Sequence, residues 1–174
     1  MKIALITGAS QGIGSAIAQE LNQKKIKVIL VARSKVKLKK IQTSLKFPKN
    51  SIIISKDLRS LSACNSIGAK IKKLNYLINV AGATKGGSFL KLKDNVWDDG
   101  FNLKFKAAVR LSRNFWKTLR RNKGKVINIG GGAARNPSHT FMIGGAVNSA
   151  LNNFSKALAM QGKIDKVSVS IIHP

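Results

Sequence analysis

An apolar run that ends on a glycine-rich turn and passes straight into a helix leaves a chain few ways to fold. Here Ile3-Ala4-Leu5-Ile6-Thr7 leads into Gly8-Ala9-Ser10-Gln11-Gly12-Ile13-Gly14, and Ile17, Ala18 and Leu21 then recur at helical spacing. Glycine adopts backbone conformations with positive φ that a side chain opposes, and it lets another backbone or an anion come close. A strand that turns so tightly into a helix folds the helix back onto its own sheet, and the next strand then runs parallel to the first. The start of that helix presents unpaired N–H groups and the positive end of its dipole, which suits a phosphate. A lone glycine pattern says little, but one placed between a strand and a helix is specific. The alternative is a turn whose glycines serve packing alone.

The rest of the chain keeps the same rhythm. Short apolar runs predict strands at Ile3–Thr7, Lys27–Ala32, Ser51–Ser55, Tyr76–Asn79, Lys125–Ile129 and Val167–Ile172. The first four are nearly continuous in apolar residues, as strands covered on both faces should be. Between them lie amphipathic stripes, one marked by Leu38, Ile41 and Leu45 and a longer one running from Phe101 through Phe105, Ala108, Ser112 and Phe115 to Leu119. Ile143, Val147, Leu151, Phe154 and Leu158 mark a last long helix. Alternating strands and helices predict an α/β fold, a doubly wound parallel sheet of six strands in the order 3-2-1-4-5-6. At 174 residues with 44% hydrophobic content and no linker or repeat, a single domain over residues 1–174 is expected.

Composition narrows the partners. Cys64 is the only cysteine, and His139 and His173 are the only histidines, so neither a disulfide nor a zinc cluster is expected. No run reaches the ~18 apolar residues of a membrane span, and the opening apolar run is too short for a signal peptide. A soluble cytoplasmic protein is the expectation. Against 32 Lys+Arg stand only six carboxylates, a formal net charge of +26. The cations are spread over several predicted helix faces, so any nucleic-acid binding should be weak, sequence-independent and sensitive to salt.

At the turn the chain resembles the short-chain dehydrogenase/reductase family, whose Thr-Gly-x-x-x-Gly-x-Gly motif is matched by Thr7, Gly8, Gly12 and Gly14. Further segments match in the family's order. Asp57-Leu58 resembles the pair that contacts adenine, and Asn79-Val80-Ala81-Gly82 resembles the stretch that steadies the central sheet. Asn102-Leu103 resembles the helix-borne asparagine that links the active site to water. Val126-Ile127-Asn128-Ile129 resembles the fifth strand and Val169-Ser170-Ile171-Ile172-His173-Pro174 the sixth. The resemblance covers the whole chain and implies a Rossmann domain binding NADP or NAD. It places Thr7, Gly8, Ser10, Gln11, Gly12, Ile13, Gly14, Asp57, Leu58, Asn79, Ala81, Gly82 and Asn148 at the cofactor. An acidic residue after the second strand would hold the NAD ribose, but Val31-Ala32-Arg33-Ser34 stands there. Arg33 could pair with a 2′-phosphate, which favours NADP.

The family's chemistry rests on a serine after the fifth strand and a Tyr-x-x-x-Lys on the next helix. The same alignment puts Gly131 at the serine, Gly144 at the tyrosine and Asn148 at the lysine, and the only tyrosine, Tyr76, lies in a strand. Three readings stay open: an oxidoreductase acting on a carbonyl or alcohol with NADP(H), a cofactor-binding protein without catalysis serving as a sensor or oligomer subunit, and a basic protein that binds nucleic acid through its charge. Asn102 is retained, and His139 is the candidate substitute acid. Family members continue past the Pro174 position into a lid and a seventh strand. A fragment or truncated product with an exposed sixth strand is therefore expected. They also pair through the two long helices, so a homo-oligomer is expected.

Overall fold

Residues 1–174 are described by a computed structural model. The strands are β1 (Ile3–Thr7), β2 (Lys27–Ala32), β3 (Ser51–Ser55), β4 (Tyr76–Asn79), β5 (Lys125–Ile129) and β6 (Ser168–Ile172). They form one six-stranded sheet in the order β3-β2-β1-β4-β5-β6, every pairing parallel. The helices are α1 (Gly12–Gln23), α2 (Lys35–Ser44), α3 (Leu61–Lys70), α4 (Asp94–Gly100), α5 (Ala107–Arg121) and α6 (Met142–Asp165). Because successive strand residues face opposite sides, Leu5 and Ile6 serve different cores. Leu5, Val31, Leu77 and Val126 pack with Cys64 and Ile67 of α3 and with Leu111, Phe115 and Leu119 of α5. Ile6, Leu30 and Ile78 pack with Ala18 of α1 and Leu38 of α2. Strand order reverses between β1 and β4, and a crevice opens there beyond the strand ends.

Three expectations are corrected. β3 is not covered on both faces: it is an edge strand with only β2 beside it, and Ile52 is 41% exposed. The last strand begins at Ser168 rather than Val167. Lys166 turns the end of α6 with φ +58, and Val167 N–H is spent on the carbonyl of Gly162 at 2.9 Å. The long stripe from Phe101 to Leu119 is not one regular helix. Residues Phe101–Lys106 form a π-helical stretch between α4 and α5, and such wider turns often mark working parts of a protein. β6 is the other edge strand, as expected, and Ile172 is 51% exposed.

A buried polar chain ties the functional end of the sheet together. Asn79 Nδ2 donates to Asn128 Oδ1 at 2.8 Å, Asn128 Nδ2 donates to Ser155 Oγ at 2.8 Å, and Ser155 Oγ donates to the Leu151 carbonyl at 2.6 Å. β4, β5 and α6 are thereby held in one register, since buried amides left unpaired would be costly. At the opposite end Asp165 joins α6 to α5. Gln161 and the Trp116 indole both donate to its carboxylate, which they hold below the usual range, and Arg120 lies 3.4 Å away. No helix is long and apolar enough to cross a membrane.

Candidate active site

The turn after β1 shows why its glycines are glycines. Gly8 and Gly12 have φ of +66 and +55. A Cβ on Gly14 would collide with the carbonyl of Gly8, so only glycine lets α1 begin this close to the strand. A Cβ on Gly8 would lie 3.0 Å from the backbone of Ala81. Thr7 is buried beneath the turn, and its hydroxyl accepts from the N–H groups of Val80 and Ala81, both at 3.0 Å. It therefore clamps the end of β1 to the segment after β4 and does not line the crevice. No side chain caps α1, whereas Ser34 and Ser60 cap α2 and α3. The first N–H groups of α1 face the turn without a side-chain partner.

The crevice has a volume of about 440 Å³. Gly8, Ser10, Gln11, Gly12, Ile13 and Gly14 form its floor, with Arg33, Lys37 and Lys56 towards β2 and β3, and Ala81, Gly82, Ala83 and Leu103 towards β4. Lys37 Nζ donates to Gln11 Oε1 at 3.2 Å. Leu58 lines the crevice. Asp57 does not: its carboxylate accepts from Arg59 N–H at 3.0 Å and pairs with the Arg59 guanidinium at 3.5 Å, while Arg59 reaches on to Asp99 at 3.3 Å. Asn79 is likewise committed to Asn128. Lys37 and Lys56 were not singled out from sequence, because two lysines carry no signal in a chain with so many. A glycine cradle, an uncapped helix start and three cations fit a dinucleotide carrying several phosphates.

Beyond β5 the space around Gly144 and Gly131 is filled. The Phe141 ring lies directly over Gly144, in the space a side chain there would take. A Cβ on Gly131 would stand 2.9 Å from Asn148 Nδ2. Asn148 is buried, and its Oδ1 has no partner. Asn102 sits half-buried in the π-helical stretch without a side-chain hydrogen bond. Two places further on, Lys104 Nζ donates to the Gly130 carbonyl at 3.1 Å. His139 is exposed on the loop before α6 and makes no hydrogen bond, although Ser138 and Thr140 bond to each other across it at 3.0 Å.

The other histidine was missed as a site residue. His173 Nδ1 lies 3.1 Å from both the N–H and the carbonyl of Gly131, and Nε2 lies 3.2 Å from Asn152 Oδ1. Asn152 Oδ1 needs a donor, so the proton belongs on Nε2 and Nδ1 accepts from Gly131 N–H. This ring supports the backbone of Gly131 from below. Only the β5–β6 pairing brings it there, and nothing local to His173 announces it.

Fold and crevice together define a doubly wound α/β domain whose switch point is built for a phosphate-bearing ligand. Residues 2–174 match the family model described as short chain dehydrogenase, and the chain belongs to this family of oxidoreductases. It is 33% identical over 176 residues to the 3-oxoacyl-(acyl-carrier-protein) reductase of Rickettsia typhi, covering 99% of this chain and 71% of that one. A short-chain dehydrogenase from Streptomyces avermitilis superposes with a TM-score of 0.94 at 27% identity, over 100% of this chain and 66% of that one. A metagenomic short-chain oxidoreductase in complex with NADP superposes with a TM-score of 0.94 at 29% identity, over 99% of this chain and 80% of that one. The chain thus spans about two thirds to four fifths of these relatives.

Proposed function

We propose that this chain binds NADP(H) along the β1–α1 crevice and acts on carbonyl or alcohol groups only slowly, as a cofactor-binding member of its family. The observation that carries the reading is a contrast within one site. The phosphate cradle is complete, while Gly144 and Gly131 are packed beneath Phe141 and against Asn148. The nicotinamide would supply or accept hydride when bound. The residues Ser10 to Gly14 would hold the pyrophosphate on the N–H groups of α1, and Arg33, Lys37 and Lys56 would neutralise a 2′-phosphate. Ala81 and Gly82 would leave room for the rest of the dinucleotide. None of the side chains at Gly131, Gly144 or Asn148 can pass a proton to a substrate oxygen.

NADPH is expected to raise the thermal stability of the chain more than NADH at equal concentration. A ligand at a hundredfold its Kd stabilises by ~2.7 kcal/mol, ample for a melting experiment. Arg33→Asp is expected to reverse the order, because a carboxylate accepts from the ribose hydroxyls and repels the phosphate. Equal shifts with both dinucleotides in the native chain would remove the case for NADP.

Pairing of two copies through α5 and α6 belongs to the same reading. Phe101, Phe105 and Phe154 form a line of edge-to-face contacts at 6.3 and 5.9 Å between ring centres. Along α6, Met160 and Ile164 are 71% and 77% exposed, so this helix carries apolar surface to cover. Light scattering should report a dimer or tetramer, and a stable monomer that binds cofactor would count against the pairing.

A further inference from the structure

Lys104 is a cation held in an unusual place. Its methylene stem lies across Gly82, where a Cβ would stand 2.8 Å from its Cδ, and its Nζ donates to the carbonyl of Gly130. The chain's four ion pairs engage Lys24, Arg120 and, twice, Arg59, so no carboxylate neutralises Lys104. An ammonium drawn away from water and given one carbonyl is under-solvated, and burial pushes its pKa below the usual lysine range. The π-helical stretch Phe101–Lys106 carries Leu103 into the lining of the crevice and Lys104 into contact with the ends of β4 and β5.

The placement matters because the crevice has two distinct ends. Arg33, Lys37 and Lys56 stand at one, and Gly82, Ala83 and Leu103 at the other, with the Gly8–Gly14 turn between them. A dinucleotide with its 2′-phosphate at Arg33 and its pyrophosphate on the turn would extend its nicotinamide towards the Gly82 end. There the lysine lies against Gly82, and its ammonium bonds the residue just before Gly131. Asn148, standing where the family has a lysine, brings no charge. The oxidised nicotinamide ring is a cation and the reduced ring is neutral, so an uncompensated ammonium at this end opposes only the oxidised form.

We infer that Lys104 makes the crevice a discriminator of cofactor redox state, holding the reduced dinucleotide more tightly than the oxidised one. The inference rests on the dinucleotide-binding reading, and one calorimetric experiment separates the two. NADPH, NADP⁺ and 2′-phospho-ADP-ribose, which lacks the nicotinamide, are titrated into the native chain and into Lys104→Met, Lys104→Gln and Lys104→Arg. The methionine and glutamine variants keep most of the stem without the charge, and either suffices if the other fails to fold. Native protein is expected to prefer NADPH over NADP⁺ by about tenfold, the effect of roughly 1.4 kcal/mol between charges. Met or Gln at 104 should tighten NADP⁺ severalfold and leave 2′-phospho-ADP-ribose unchanged, while Arg should keep the native ratio. An unchanged NADPH to NADP⁺ ratio in the uncharged variants overturns the inference. So does an equal change for all three ligands, which would show a merely structural lysine. If none of the three ligands binds the native chain, the dinucleotide reading falls and takes this inference with it.

Discussion

The native chain is expected to reduce simple ketones and aldehydes about 10²–10⁴-fold more slowly than a relative with the serine, tyrosine and lysine in place, because a positioned general acid contributes about that much. Cofactor oxidation followed by absorbance measures it. Reinstating the three groups as Gly131→Ser, Gly144→Tyr and Asn148→Lys is the natural rescue, since such groups act as a unit. The structure adds a condition. A tyrosine at 144 would run into the Phe141 ring, and overpacking of this kind typically costs about 1–3 kcal/mol. The triple variant should therefore be less stable than the native chain and no more active. Adding Phe141→Ala should recover stability, and any gain in turnover should appear only then. Native turnover at about 1–10³ s⁻¹ on a defined carbonyl would sink the slow-enzyme reading. In that event His139→Ala becomes informative, as the exposed loop before α6 would have to close on the substrate.

Thr7→Val is expected to be the most damaging small change in the cofactor cradle. Valine matches the shape of threonine but leaves the N–H groups of Val80 and Ala81 without their acceptor. A fully buried donor left unpaired costs about 1–3 kcal/mol, and these two are part-buried at the crevice, so a loss of roughly 1–3 kcal/mol is expected from urea unfolding. Thr7→Ser, which keeps the oxygen, should retain most of the stability. NADPH binding should weaken in the valine variant as well, because the same two bonds hold the turn against Val80 and Ala81. A loss under about 1 kcal/mol would show that the turn is held by packing alone.

These two variants mark where sequence reasoning succeeds and where it stops. Thr7, Gly8, Gly12 and Gly14 were legible because a strand, a turn and a helix are local events with local signatures. The placement of Gly8, Gly12 and Gly14 at the crevice was legible for the same reason, and so was the strand order, since parallel strands joined by helices leave few topologies. The role of Thr7 was not: from sequence it belonged to the cofactor, and in the fold it belongs to the Val80–Ala81 backbone. Asp57 was read in the same way and is committed to Arg59. The resemblance sets Gly131, Gly144 and Asn148 where the family has its serine, tyrosine and lysine, but a glycine in a sequence does not say whether its space is empty.

By itself, then, the order of residues determined the parallel six-stranded sheet and the glycine turn after β1. Apolar periodicity, glycine freedom and residue identity are properties of a segment and survive without knowledge of its surroundings. Tertiary structure alone decided that Phe141 covers Gly144, that His173 supports Gly131 and that Lys104 is drawn to Gly130. The last two contacts join residues 42 and 26 positions apart across the sheet. Whether a glycine is vacant or filled, and whether a lysine is solvated or stranded, depends on what other segments bring near it, and no local pattern records that.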